Sequence, residues 1–423
     1  MKHTKLRVGA LAAAALTLAA VGCTDDAVSV LQPKPADPIF HTYVALGNSI
    51  TAGYQSGGIN DSTQRESYAR LVAKQMQTGY VYPSLAGPGC APPVVNFQTQ
   101  ARFGGGTSTS CFLRNPASTV LVQNNVAVPG ATSADPTAPT TKASNILTQL
   151  FLGGKTQVQR ALDAQPTFVS IWIGNNDALD AAAKGVTVSS TATDAASVAV
   201  RTALSTQGLT DTLTFVANYK RMMDQLLVRP GLKGILIGVV QVTQIPLIFN
   251  VDSLVAEPTF KAYFDGAVGH ATVIDTTCTG SGKGSLISLG MIQFLKANPT
   301  APLSCKKGSV PGAPAIGDFF VLDAADQAVF TKTVNRYNSY IAAKADSIGF
   351  AYVDPNPLLA SLKGAPGGIP LVPVLSSPTA TFGPYISLDG VHPSGKAHVE
   401  LAKAIIQAIN AKYHTTLSTT ITP

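Results

Sequence analysis

The sequence predicts an α/β fold, a parallel sheet covered on both faces by helices, and two observations carry that expectation. Short apolar runs of strand-forming residues alternate along the chain with segments whose apolar residues recur at helical spacing. The polar turns that bear reactive side chains follow the carboxyl ends of those runs, where parallel α/β sheets place their active sites.

The first strand is Tyr43–Leu46, which stops at Gly47 and opens into Asn48 and Ser49 on a sharp turn. Val120–Val128 is the second run and leads to Pro129 and Gly130, and Phe168–Ile173 leads to Gly174–Asn175–Asn176–Asp177. Phe215, Tyr219, Met222 and Leu226 then fall on one helical face, ahead of the strand run Gly234–Val242. Phe330, Val334, Tyr337 and Ile341 form a second such face before the run Phe350–Val353. A closing amphipathic helix is expected from Val399, Ala402, Ile405, Ile406 and Ile409.

Ser49 acquires meaning from the far end of the chain, where Asp389 stands three residues ahead of His392. A serine hydroxyl needs a neighbouring base to become a good nucleophile, and imidazole titrates nearest neutral pH. The six histidines are His3, His41, His270, His392, His398 and His414. His3 lies in the leader and His414 in the extreme tail, and only His392 among the rest has an acid three positions before it. Asp389 can then accept the ring N–H and fix the tautomer, which completes a nucleophile–base–orienter relay.

Four short blocks together resemble the SGNH, or GDSL-type, family of esterases and lipases. They are Gly47–Asn48–Ser49–Ile50, Asn125–Val126–Ala127–Val128–Pro129–Gly130–Ala131–Thr132, Gly174–Asn175–Asn176–Asp177 and Asp389–Gly390–Val391–His392, in the family's order. The resemblance implies a three-layer α/β/α sandwich of flavodoxin-like topology with Ser49, His392 and Asp389 as catalytic residues. It further implies an oxyanion hole made by the backbone of Ser49, the amide of Gly130 and the side chain of Asn176, with no cofactor. Asp177 reads as a structural residue that holds the loop presenting Asn176. Asn48 departs from the pattern, since the family's name places an aspartate there. No Gly-x-Ser-x-Gly elbow occurs, which disfavours the α/β-hydrolase fold.

The N-terminus reads as an export signal. Lys2, Lys5 and Arg7 precede an apolar run from Val8 to Val21, too short for a comfortable membrane span. Ala20–Val21–Gly22–Cys23 resembles the bacterial lipobox, which would make Cys23 a lipidated first residue, with a soluble secreted form as the alternative. Residues 1–22 are the expected signal peptide, and 23–40 the expected anchor and tether. Residues 41–415 form the expected single hydrolase domain, and 416–423 a tail. Insertions are expected near 80–117, 181–211 (a helix or an arm) and 247–318 (a small cap).

Four cysteines remain after Cys23, an even number suited to an oxidising compartment. Three connectivities are open. Cys90–Cys111 and Cys278–Cys305 are favoured because each pair brackets one Gly/Pro/Ser-rich stretch, each closure being worth on the order of 3 kcal/mol of loop entropy. Metal binding is not expected, as there is no Cys-x-x-Cys and no histidine cluster beside the cysteines. The leader carries three of the 30 Lys and Arg and none of the 23 Asp and Glu, which leaves a mild +4 on the remainder. No basic run interleaved with aromatics occurs, so nucleic acid is not an expected partner.

The function expected is therefore ester hydrolysis by an exported, membrane-anchored monomer. A carbohydrate O-deacetylase of the same fold is the alternative, and a catalytically silent glycan- or envelope-binding lipoprotein the third reading.

Overall fold

Residues 34–111, 122–138, 146–305 and 320–422 are described by the computed structural model of the chain. The expected signal peptide and Cys23 lie outside the described residues, as do parts of the 80–117 and 247–318 insertions.

Four parallel strands form the central sheet: β1 (Tyr43–Gly47), β4 (Phe168–Trp172), β5 (Lys233–Ile237) and β9 (Ala351–Val353), in the order β1-β4-β5-β9. Outside β1 runs the segment 124–128, which was expected to be a full strand. It makes only a ragged parallel ladder: Ala45 donates to Asn124 O, and Val126 and Val128 donate to the carbonyls of Ala45 and Gly47. Asn124 and Asn125 turn their side chains inward to Tyr43 O and Thr51 O, which breaks the strand's own repeat. With this segment included the spatial order is 2-1-3-4-5, the flavodoxin-like arrangement whose switch point lies between β1 and β4.

Alternate residues of each strand serve opposite faces, as the two-residue repeat of a strand requires. Val44, Leu46, Val169, Ile171 and Leu236 pack with Tyr219, Met222, Phe330, Val334 and Tyr337 from the helices Thr212–Leu226 and Ala324–Ile348. Tyr43, Ala45, Phe168, Trp172, Ile235 and Ile237 pack with Leu71, Val72, Ile405, Ile406 and Ile409 from the helices Tyr68–Met76 and Gly395–Tyr413. Each large apolar side chain buried in this way contributes roughly 1.5–3 kcal/mol. The periodic residues singled out in the sequence thus face the sheet. Asp211 and Asp323 cap the two long helices through Thr214 N and Asp326 N, each cap worth about 1 kcal/mol.

The run Gly234–Val242 was expected to be strand throughout, but β5 ends at Ile237. The amides of Val239, Val240 and Gln241 donate instead to the side-chain oxygens of Asn338, Asn175 and Asn356. Three asparagines thereby replace the ladder and hold the chain open above the sheet.

The regions outside the sheet have structure of their own. The hairpin β2 (Val94–Asn96) and β3 (Ala101–Arg102) follows Cys90, which is bonded to Cys111. Helix Ala195–Ala203 occupies the second insertion. The third contains strands β6 (Ile248–Asn250) and β7 (Leu286–Ser288), antiparallel and joined by β8 (Val321–Leu322) just beyond it. A separate apolar cluster around Phe249, Phe264, Leu295 and the Cys278–Cys305 disulfide fills this cap. Both disulfides are the pairs favoured from the sequence. No helix among the described residues is long and apolar enough to cross a membrane.

Candidate active site

The turn after β1 has little freedom. A Cβ on Gly47 would lie 2.3 Å from Thr51 Oγ1 and 2.7 Å from Trp172 O, so only glycine fits where the chain leaves the sheet. Asn48 then caps the short helix Ser49–Ala52, its Oδ1 accepting from Ile50 N at 3.1 Å. This places Ser49, only 7% exposed, at the carboxyl end of β1 beside the sheet's switch point.

His392 reaches the same point from the other end of the chain. Residues 386–393 form a tight loop closed by an Ile386–Pro393 bridge and by Ser387 N donating to His392 O. His392 Nε2 lies 2.8 Å from Ser49 Oγ, and its Nδ1 lies 2.8 Å from Asp389 Oδ2. The acid is heavily solvated by the protein: Asp389 also accepts from the amides of Val391, His392 and Gly57 and from Ser387 Oγ. Burial alone would raise its pKa, but the charge and N–H of His392 with these amides outweigh it. Its carboxyl is held well below the usual range and stays ionised. An ionised acceptor at Nδ1 fixes the proton there and leaves Nε2 to accept from the serine.

The expected oxyanion donors come from three elements. Gly130 is exposed at φ +85, a left-handed conformation that glycine adopts without strain. The amides of Ser49 and Gly130 have no protein acceptor among the described residues. Asn176 begins the helix Asn176–Lys184 and uses one N–H to donate to Ala131 O at 2.9 Å, leaving the other free. Asp177 binds the Gly130 loop to this helix, accepting from Ser133 N at 2.7 Å and Ser133 Oγ at 2.6 Å. Burial pushes its carboxyl up to about 6 against those hydrogen bonds. Asp177 thus spaces Asn176 from Gly130, which gives physical content to the structural role expected of it.

The competing histidines are elsewhere. His41 is exposed beside Thr42, and His270 lies against Leu295 O in the cap. His398 is fully buried, accepts from Tyr68 N at 3.1 Å, and is depressed to about 3 by burial. It is a neutral core histidine.

Sequence reasoning missed the turn Gln55–Ser56–Gly57–Gly58, although Ser-Gly-Gly is itself a turn signal. Ser56 N donates to Ser387 Oγ, Leu388 N donates to Ser56 Oγ, and Gly57 N donates to Asp389. Tyr54 was missed as well. Its ring lies 5.0 Å from the His392 ring, and burial with the charge of Asp389 pushes its phenol up to about 12. An apolar pocket of about 70 Å³ lies beside Ile50 and Val391, lined also by Trp172, Leu359 and Tyr385.

Comparison with known proteins bears on part of the chain. The family model described as GDSL-like Lipase/Acylhydrolase matches residues 43–246, which hold Ser49, Gly130 and Asn176. Residues 43–246 are a match to this family. Asp389 and His392 lie beyond the matched stretch and are joined to it here by distance alone. Among solved structures, the hydrolase is similar to an extracellular lipase from Streptomyces rimosus at 15% identity and a TM-score of 0.31, with 88% of this chain and 99% of that one covered. No curated protein matches the sequence. Among the described residues no cluster of His, Cys, Asp and Glu could hold a metal ion.

Proposed function

We propose that this hydrolase cleaves carboxylic esters through an acyl-enzyme, with Ser49 as nucleophile, His392 as general base and acid, and Asp389 as the group that orients His392. The reading is carried by the unbroken line of 2.8 Å contacts from Ser49 Oγ through the imidazole to Asp389 Oδ2. As Ser49 Oγ attacks the ester carbonyl, its proton passes to His392 Nε2, and Asp389 stabilises the imidazolium that forms. Negative charge develops on the carbonyl oxygen, and the amides of Ser49 and Gly130 with Asn176 Nδ2 receive it. One such donor is typically worth 10²–10³ in rate, about 2.7–4 kcal/mol. The tetrahedral species collapses as His392 returns the proton to the departing alcohol. Water, deprotonated by the same imidazole, then releases the acid from Ser49.

The Ser49–His392 contact disfavours the silent-lipoprotein reading, since a pure binding protein has no use for a serine hydroxyl bonded to an oriented imidazole. The signal-like N-terminus and two disulfides support export, and Cys23 is the residue we assign to lipid attachment. We read residues 41–415 as one hydrolase domain acting as a monomer. Hydrolysis of 4-nitrophenyl acetate tests the activity. The wild type should turn it over, while Ser49→Ala and His392→Ala should fall by ~10³-fold or more with unchanged melting temperatures. Full activity in either variant would remove the relay. For the anchor, Cys23→Ser should move the protein out of the membrane fraction, and a wild type recovered wholly without detergent would contradict lipidation.

A further inference from the structure

The departing alcohol must receive its proton from His392 Nε2, so the alcohol half of the ester lies on the side of Ser49 that His392 occupies. Beside the relay a cleft of about 690 Å³ opens against Asp389 and Gly57. One wall is the hairpin β2–β3, which supplies Phe97 and Arg102, and the other is the cap, through helices Pro258–Val268 and Gly290–Ala297. Each wall belongs to a region that contains a disulfide, Cys90–Cys111 and Cys278–Cys305.

The lining is chemically specific. Gln293 and Lys296 stand three residues apart on one helix, hence on one face, and both are exposed. Tyr263, 42% exposed, offers a ring from the neighbouring cap helix. Arg102 uses Nη1 to donate to Gly57 O and Pro92 O, both uncharged acceptors. Neither Arg102 nor Lys296 is paired with a carboxylate among the described residues, and the lining's one acid is Asp389, already engaged by His392. The cleft is therefore a wide, partly aromatic surface with two unneutralised cations and a free amide.

We infer that this cleft is the alcohol-side subsite and that it selects esters whose alcohol is a hydroxyl-rich group carrying a negative charge. The proposal rests on the ester-hydrolase reading and adds the substrate class. The amide and the ring address hydroxyls and the apolar face of a polyol, while Lys296 and Arg102 favour a carboxylate or phosphate. Acylated acidic sugars and acyl phosphoglycerols share that chemistry.

The test compares kcat/KM within two pairs matched except for charge, at low ionic strength where an exposed lysine is least screened. One pair is an O-acetylated oligogalacturonide and a neutral O-acetylated xylo-oligosaccharide. The other is lysophosphatidylglycerol and a monoacylglycerol of the same chain. In at least one pair the wild type should prefer the anionic member, and that pair names the source of the polyol. Lys296→Glu should lower the anionic-to-neutral ratio by about tenfold. Lys332→Glu, the same charge change on the remote helix Ala324–Ile348, should leave the ratio where it was. An equal ratio in wild type and Lys296→Glu overturns the subsite, as does an equal drop in Lys332→Glu or turnover of 4-nitrophenyl acetate with no turnover of either pair. Wild-type protein that matches Ser49→Ala on 4-nitrophenyl acetate would instead defeat the esterase reading itself.

Discussion

The amide of Gly57 donates to Asp389 Oδ2 at 2.8 Å, a contact between residues 332 apart in the chain. It belongs to a seam in which the turn just after Ser49's helix is bonded to the loop that carries Asp389 and His392. The hairpin region braces the same turn, with Val94 N donating to Ser56 O and Arg102 to Gly57 O. The nucleophile's turn and the acid's loop are thus held as one unit, so the 2.8 Å contacts at His392 do not depend on the imidazole alone.

Ser387 is the side chain on this seam whose removal disturbs Asp389 without touching substrate. It accepts from Ser56 N at 2.8 Å and donates to Asp389 Oδ1 at 3.1 Å. Ser387→Ala should lower kcat by about tenfold, the worth of one hydrogen bond to a charged group, and leave KM unchanged. Thr in its place should restore most of the loss. A change in KM with kcat intact would show that Ser387 does not position the acid.

Asp389→Asn keeps the shape but lets Nδ1 of His392 take the wrong tautomer. We expect kcat to fall by ~10³–10⁴. The wild-type carboxylate also stabilises the fold, because its pKa is depressed by folding; that contribution is present above about pH 4 and is lost as pH falls further. Urea midpoints measured from pH 7 to pH 3 should therefore fall more steeply for wild type than for Asp389→Asn. Parallel curves would contradict the depressed pKa.

Asp177 has the opposite sign. Folding raises its carboxyl from 3.8 to about 6, so the folded state loses stability as pH rises from about 4 to about 6, by as much as about 3 kcal/mol. Asp177→Asn should flatten that part of the urea-midpoint profile. A profile with an unchanged slope would mean that the buried carboxyl titrates normally.

Asn48 stands where the family's pattern has an aspartate. Its Oδ1 caps the helix of Ser49, while its buried Nδ2 has no partner among the described residues. Replacement by aspartate loses no donated bond but buries a charge near the forming oxyanion. Asn48→Asp should change kcat within about tenfold, or ~1.4 kcal/mol. A collapse by several powers of ten would show that Nδ2 donates a bond that catalysis depends on.

Much of this was legible from the chain because the relevant signals are local. The runs that became β1 and β4 end at the turns presenting Ser49 and Asn176, and the Asp389–His392 spacing brought the acid to the base within one loop. The helical faces of Phe215 and Phe330 were readable from their period. The strand of Gly234–Val242 was overextended because apolar composition cannot reveal that Asn175, Asn338 and Asn356 would capture its amides. The segment ending at Val128 lost its regularity through Asn124 and Asn125 in the same way. The Ser56–Gly57 seam was invisible because its partners are more than 300 residues away.

The most direct measurement is reaction with a fluorophosphonate followed by peptide mapping of the adduct. The account predicts one phosphonyl group on Ser49, formed at a rate that drops by ~10³-fold or more in His392→Ala and not formed in Ser49→Ala. An unlabelled Ser49 in active enzyme, or labelling that proceeds as fast without His392, would contradict it.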